Sequence, residues 1–325
     1  MKIATLTLNP CVDKTLYFNS SFRTGELNRT AYAMVNAGGK GINVARIYRR
    51  LGIRASAFGF SGGAIGDLLR TLLAREDITA LFTETSCDTR MCIKLIDADG
   101  VCTEANEGGG PVLETEYSAL KTQLFAFLTE CKRSGENGIL FAGGSVPGGL
   151  EKHVYREIIG MFSESRVRFV LDADGDALKF GLEGRPWLIK PNIHELSEYV
   201  GYEITGRDER EKATAAAKAS RRIFAQYGTN VLCTLGGDGA VYTGEEGAYY
   251  VNAPHVTMKG FTGAGDTFLA SFVFAYEKNG HDIESALSFA SSAAAAKVEL
   301  AGTEMPDRNA MMRFVEQVHT DKLDI

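Results

Sequence analysis

Gly138-Ile139-Leu140-Phe141-Ala142 and Val167-Arg168-Phe169-Val170-Leu171 are short apolar runs, and between them Glu151 to Ser163 carries apolar residues at three- and four-residue spacing. The unit reads as strand, helix, strand. Both strands are apolar almost throughout instead of alternating, which suits a sheet covered on its two faces. The same alternation extends outward. Upstream, Glu116 to Lys132 has helical spacing. Downstream, Trp187 to Ile189 and Val231 to Leu235 read as strands, with Ile193 to Val200 and Asp208 to Tyr227 as helices. This succession predicts an α/β fold: a central, mostly parallel sheet with helices on both faces.

Met1 to Leu8 stops at Asn9-Pro10, too short for the apolar core of a signal peptide, and reads as a first strand. Asn43 to Leu51 places Val44, Ile47 and Leu51 on one face and closes with Gly52, a helix C-terminal signal. Asp13 to Val35 and Thr89 to Glu104 lack helical periodicity and are rich in Thr, Tyr, Asn and Cys, so they predict short strands outside the main sheet that together form one small lid. With no repeat and no flexible linker, one domain over residues 1–325 is expected, its lid drawn from about 13–36 and 88–108.

Composition narrows the function. Thirty-five Lys and Arg against 41 Asp and Glu leave a mildly acidic chain without a run of like charge, which argues against nucleic-acid and membrane partners. The longest apolar stretch, Phe268 to Tyr276, is far short of the roughly 20 residues a membrane helix needs. The six cysteines form no CxxC pair and no metal-like grouping with His, as expected of reduced thiols in the cytoplasm. The five histidines show no ligand spacing. Trp187, the alanines from Ala293 to Ala296 and the thiol of Cys11 all read as packing residues.

Two glycine-rich clusters carry the chemistry. In Ala37-Gly38-Gly39-Lys40-Gly41-Ile42-Asn43-Val44-Ala45, glycines let backbone approach a ligand, Lys40 adds positive charge and Asn43 offers a directional amide at a helix start. The same residues also suit a plain turn with an N-cap. In Thr262-Gly263-Ala264-Gly265-Asp266-Thr267-Phe268, a turn opens an apolar helix that ends near Lys278-Asn279-Gly280. Free amides at that helix start would face an anion, and the Asp266 carboxylate could accept a proton. An Asp in a first turn also simply complements the dipole, so either cluster alone leaves both readings open.

Taken together, Gly-Gly-Lys-Gly-Ile-Asn-Val-Ala-Arg from Gly38 and Thr-Gly-Ala-Gly-Asp from Thr262 resemble, in order and separation, the two signatures of the ribokinase-like, PfkB-type sugar kinases. Lys190-Pro191-Asn192-Ile193-His194-Glu195 resembles that family's Asn-x-x-Glu motif, and Leu235-Gly236-Gly237-Asp238-Gly239 its nucleotide-side glycine turn. The opening Thr7-Leu8-Asn9-Pro10, followed by Asp13, and also Gly59-Phe60, Gly62-Gly63 and Thr89-Arg90, are similar to the fructose-1-phosphate and tagatose-6-phosphate kinase branch. The resemblance implies a ribokinase fold, ATP with Mg²⁺ as cofactors, a sugar phosphate as acceptor, and a β-lid that closes over the sugar and can pair two subunits.

Carried over by residue, the resemblance makes Asp266 the general base, with Gly263, Ala264 and Gly265 as the anion hole. It gives Asp13, Gly38, Gly39 and Asn43 to the sugar, and Lys40 and Arg90 to the acceptor's phosphate. Lys190, Asn192, Leu235, Gly236, Gly237, Gly239 and Thr262 fall on the nucleotide side, and Glu195 acts on Mg²⁺ through water. Three departures from the branch stand out. Cys92 replaces an Asn, Ala142 to Pro147 replace a Ser-Gly-Ser-Leu-Pro run, and Thr262 and Thr267 give the general family form of the helix-opening motif. A PfkB-type kinase for another sugar or nucleoside, or a non-catalytic sugar-phosphate binder, is the alternative. A dinucleotide oxidoreductase is disfavoured because no G-x-G-x-x-G follows the first strand, and a P-loop kinase because Lys40 is followed by Gly41.

Overall fold

The computed structural model describes residues 1–260 and 262–325. The chain begins with β1 (Lys2–Thr7), β2 (Cys11–Phe18), β3 (Thr30–Gly38), α1 (Lys40–Arg50), β4 (Ala55–Ser61), α2 (Gly63–Arg75) and β5 (Thr79–Glu84). Next come β6 (Arg90–Ile96), β7 (Cys102–Asn106), α3 (Glu114–Ser134), β8 (Gly138–Gly143), α4 (Val154–Phe162), β9 (Val167–Asp172), α5 (Gly175–Glu183) and β10 (Leu188–Ile189). They are followed by α6 (Ile193–Val200), α7 (Glu209–Tyr227), β11 (Asn230–Thr234), β12 (Ala240–Gly244) and β13 (Gly247–Val251). The last elements are α8 (Ala264–Lys278), α9 (Ile283–Val298), α10 (Arg308–Met312) and β14 (Thr320–Lys322).

Among the described residues, ten strands form the main sheet in the order β14-β13-β12-β11-β10-β9-β8-β1-β4-β5. From β11 through β5 all neighbours are parallel, and β12, β13 and β14 add an antiparallel end. Apolar runs without alternation are explained by burial on both sides. In β8, Ile139 and Phe141 pack into the layer of α1, α2, α8 and α9, whereas Leu140 and Ala142 pack into that of α3 to α7. Among the described residues, no helix is long and apolar enough to cross a membrane.

The two stretches without helical periodicity form a second sheet, β3-β2-β6-β7. Its β2 leaves the main sheet three residues after β1, so the small sheet stands at the carboxyl edge of β1. The expected helix at Asn43 starts earlier, at Lys40. Gly41 explains the difference: a Cβ there would lie 2.6 Å from Thr7 Oγ1 and 2.8 Å from the Leu6 carbonyl oxygen, so only glycine lets the first turn of α1 press against β1. Asn43 therefore sits inside the helix, its N–H bonded to the Gly39 carbonyl, with its side-chain amide released for other use. Trp187 is half-buried, packed against the Tyr276 ring and covered by the Arg168 guanidinium. The alanines from Ala293 to Ala296 line α9 as read, with Ala293 fully buried.

Candidate active site

Gly263 caps α8 with φ of 82°, a backbone state that favours glycine and turns the chain sharply into the helix. The amides of Ala264, Gly265 and Asp266 follow, at the end of a helix where N–H groups lack intrahelical partners. Asp266 lies in that first turn and is buried. Its Oδ2 accepts a 2.7 Å hydrogen bond from Asn43 Nδ2, while Asn43 Oδ1 is buried without a partner among the described residues. Burial, and after it the charge of Asp172, push the Asp266 carboxyl above the usual carboxylate range; Lys40 and the Asn43 hydrogen bond oppose this.

Asp172 ends β9 at the same edge of the sheet. Parallel pairing of Leu171 with Ile189 puts Lys190 beside it, and Gly143 lets β8 close up, since a Cβ there would meet the Asp172 carbonyl oxygen at 2.5 Å. Lys40 Nζ is 2.7 Å from Asp172 Oδ1 and Lys190 Nζ is 3.2 Å from Oδ2. Burial disfavours ionised Asp172, but the two lysines outweigh it and hold the carboxyl below its ordinary range. One carboxylate thus fixes two cations beside the mouth of α8.

A cleft of about 1560 Å³ opens over these groups. Lys40, Asp172, Lys190, Asn192 and Glu195 line one part of it, Leu235, Gly236, Gly237 and Gly239 another, and Thr262 through Asp266 its floor. Asn192 caps α6 by accepting from the His194 and Glu195 amides, and Glu195 returns Oε2 to the Asn192 N–H. In the glycine turn, Gly239 has φ of 97°, and a Cβ would strike the Val251 carbonyl oxygen at 1.9 Å. That glycine is required by the close pass of β13.

The small sheet supplies the other wall. Asp13 is buried on β2, and a Cβ on Gly38 would come within 2.5 Å of its Oδ2. Lys94 on β6 lies 3.8 Å from Asp13 Oδ1 and donates to Thr262 Oγ1 at 3.3 Å, tying the small sheet to the loop before α8. Arg90 donates to the Asn9 carbonyl through Nη2 and Nε and to the Glu107 carbonyl through Nη1. Asp13, Gly38, Gly39, Asn43 and Arg90 do not line the large cleft; Asn43 reaches it through Asp266, and Asp13 adjoins it through Lys94.

The sequence profile described as pfkB family carbohydrate kinase matches residues 6–309. The chain belongs to that family. It is 35% identical over 304 residues to the 1-phosphofructokinase of Bacillus subtilis, covering 93% of this chain and 95% of the relative. Against the tagatose-6-phosphate kinase of Staphylococcus epidermidis the identity is 32% over 270 residues, with 82% and 83% covered. Phosphofructokinase-2 from Escherichia coli in complex with fructose-6-phosphate superposes with a TM-score of 0.84 at 26% identity, covering 97% of this chain and 98% of that one.

As a pfkB family kinase the protein is a phosphotransferase with an alcohol group as acceptor. Asp172 and Lys94, which line the cleft, and Lys297, which lies beneath Gly263, escape a reading of the sequence. Asp172 had one signal, an acidic residue closing a parallel strand at the edge where α/β sites form. Lys94 and Lys297 had none. Lys297 on α9 is fully buried, donates to the Gly302 carbonyl at 2.9 Å, and lies under Gly263, whose added Cβ would sit 3.6 Å from Lys297 Cε. Burial, then the charge of Arg46, pull its ammonium down to about 8.

That shift has a testable sign. The unfolded chain holds the Lys297 proton up to about pH 10.5, whereas the folded chain releases it near 8. The stability of the wild type relative to Lys297→Met is therefore expected to be lowest at neutral pH and to rise between those two values. Urea titrations of both proteins at about pH 7 and about pH 10 measure it. A pH-independent difference between them would contradict the shift.

Proposed function

We propose that this kinase transfers the γ-phosphoryl group of ATP to a hydroxyl of a phosphorylated ketohexose, fructose 1-phosphate or tagatose 6-phosphate, with Asp266 as general base. The observation that carries the reading is the pairing, at one helix mouth, of a buried carboxylate with the free amides of Ala264 and Gly265, on the floor of the cleft. The acceptor hydroxyl gives its proton to Asp266 as its oxygen bonds to the γ-phosphorus, and the bond to ADP breaks. Charge moving onto the transferred group is met by amides already in place, which need no reorganisation during the step. Asn43 orients the Asp266 carboxylate.

The donor fits the opposite part of the cleft, where the turn at Gly236 and Gly237 leaves backbone uncovered and Lys190 stands ready for phosphate oxygens. Glu195 and Asn192 offer hard oxygen donors there, the type that holds Mg²⁺ through water. Bound Mg²⁺ supplies neutralisation of the ATP phosphates. On the acceptor side we assign the sugar hydroxyls to Asp13, Gly39 and Asn43 and its phosphate to Arg90 and Lys40. The small sheet acts as the lid, and its edge strand β3, exposed from Thr30 to Ala33, offers a surface through which two subunits can pair.

An acceptor panel tests the reading: Mg-ATP with fructose 1-phosphate, tagatose 6-phosphate, fructose 6-phosphate and unphosphorylated hexoses, scored by ADP release. Fastest turnover is expected with one of the first two, and no release with any phosphorylated ketohexose would sink the proposal. Arg90→Ala is expected to raise KM for the phosphorylated acceptor by about tenfold or more while leaving KM for ATP unchanged, as for loss of a charge-assisted hydrogen bond. An unchanged acceptor KM with a lowered melting temperature would make Arg90 only a strut for the Asn9 and Glu107 carbonyls.

A further inference from the structure

Cys11 and Cys92 are far apart in sequence, yet the register of the small sheet brings them to one spot. Asp13 pairs directly with Cys92 across the parallel β2 and β6, and Cys11 precedes Asp13 by two residues, so all three side chains share one face. Their ligand atoms lie within 4.8 Å of one another, with Cys11 Sγ 3.8 Å from Asp13 Oδ1. All three residues are buried. Across from them β3 presents Gly38, paired with Cys11, and a Cβ there would come 2.7 Å from Cys11 Sγ and 2.5 Å from Asp13 Oδ2. The missing side chain leaves the cluster uncrowded on that side.

We propose that Cys11, Asp13 and Cys92 form a binding site for a thiophilic divalent cation of the Zn²⁺ or Cd²⁺ class. The two soft thiolate sulfurs, beside one hard carboxylate oxygen, select such ions over Mg²⁺. Tetrahedral zinc with bonds of about 2.0 to 2.3 Å requires ligand atoms roughly 3.5 to 3.8 Å apart, a spacing that Cys11 Sγ and Asp13 Oδ1, at 3.8 Å, already have. A disulfide is the poorer use of these thiols. Offset by two residues on neighbouring strands, the two Cα atoms are about 8 Å apart, beyond the reach of roughly 7 Å for an S–S bridge.

Charge also balances. Before binding, two thiols and one carboxylate carry a single negative charge beside Lys94, 3.8 Å from Asp13 Oδ1. Binding releases both thiol protons to solvent, and two thiolates, a carboxylate and a dication again sum to one negative charge. The neighbouring ammonium therefore meets no added repulsion. The fourth coordination position stays open to water or a ligand oxygen. Binding at this site does not depend on the proposed reaction. Its consequence rests on that reading: a metal on Asp13 occupies the residue assigned to the acceptor's hydroxyls, so Zn²⁺ competes with the sugar phosphate and not with ATP.

Cd²⁺ titration of the reduced protein, followed by thiolate-to-metal charge-transfer absorption in the ultraviolet, tests the site. One ion per chain is expected, with the band lost in Cys11→Ser and in Cys92→Ser and kept in Cys87→Ser. Absence of the band in the wild type, or its persistence in both serine variants, overturns the proposal. Should a variant fail to fold, alkylation of the unmutated protein with and without Zn²⁺ decides. Protection confined to peptides bearing Cys11 and Cys92 upholds the site, and protection elsewhere or nowhere overturns it. In turnover assays with excess Mg²⁺, Zn²⁺ should raise the acceptor KM of the wild type but not of Cys92→Ser. Stoichiometric binding without that effect upholds the metal site and counts against placing Asp13 at the acceptor.

Discussion

Asp266→Asn is expected to lower kcat by roughly 10³-fold, leave KM for ATP nearly unchanged and raise the melting temperature at neutral pH. The amide keeps the size of the carboxylate and an oxygen that can accept from Asn43 Nδ2, so the mouth of α8 should hold its shape. What disappears is the basic oxygen. The gain in stability follows from the direction of the pKa shift. Burial and Asp172 raise the Asp266 carboxyl above its usual range, so its folded-state contribution is fully present at low pH and is lost as the pH rises and the buried group must ionise. A neutral amide avoids that cost, a common trade of stability against function at active sites. The same direction shapes the wild-type pH profile. Activity should fall on the acid side as the pH drops through a value above that of an ordinary aspartate, because the protonated carboxyl cannot take a proton from the acceptor. Paired measurements of kcat and thermal melting separate the possibilities: near-normal turnover removes Asp266 from the mechanism, and lost turnover with a lowered melting temperature points to misfolding.

Much of the scaffold was legible because local chemistry and tertiary packing agree. Asn192 before an apolar period, and Gly201 after it, bound α6 at Ile193–Val200 as read. A glycine turn and a terminal Lys278 likewise bound α8. The start of α1 was misread by three residues because what admits the first turn is contact between Gly41 and β1, which no local signal records. The strands β12, β13 and β14 escaped for a similar reason. They are at most five residues long, and β12 is buried along its whole length, so it shows no alternation to detect. The site divides along the same line. Glycine turns and helix mouths announce Asp266 and the Gly236 turn, but ion pairs and cross-strand neighbours do not. Lys40 and Asp172 are 132 residues apart in sequence, and the cysteines meet only through the register of β2 on β6. Reading the six thiols as free was correct, while their apparent lack of any grouping held only along the chain and not in space.

Asp172→Asn is expected to destabilise the protein by about 3 to 5 kcal/mol at neutral pH, since removing one member of a buried ion pair strands its partners. Lys190 and Asp172 are both buried, and no second carboxylate lies within ion-pair distance of Lys190 among the described residues. Lys40 is more exposed, so its share is screened by solvent and the main cost falls on Lys190. The pH dependence carries the sign. The Asp172 carboxyl is held below its unfolded value of about 3.8, so its contribution is complete above that pH and is lost as the pH falls through the folded value. The stability gap between wild type and Asp172→Asn should therefore stay constant from about pH 7 to 5 and begin to close only below about 4. Catalysis supplies an independent readout. With the negative charge gone, one of the two causes that raise the Asp266 carboxyl is removed, and the acid limb of the rate profile should move to lower pH. Lys40 and Lys190 lose the group that fixes them, so kcat should fall although Asp266 itself is unchanged. Denaturant titrations across that pH range, together with the rate profile, test both halves. A variant as stable as the wild type, with an unmoved acid limb, would show that Asp172 neither anchors the two lysines nor sets the field around Asp266.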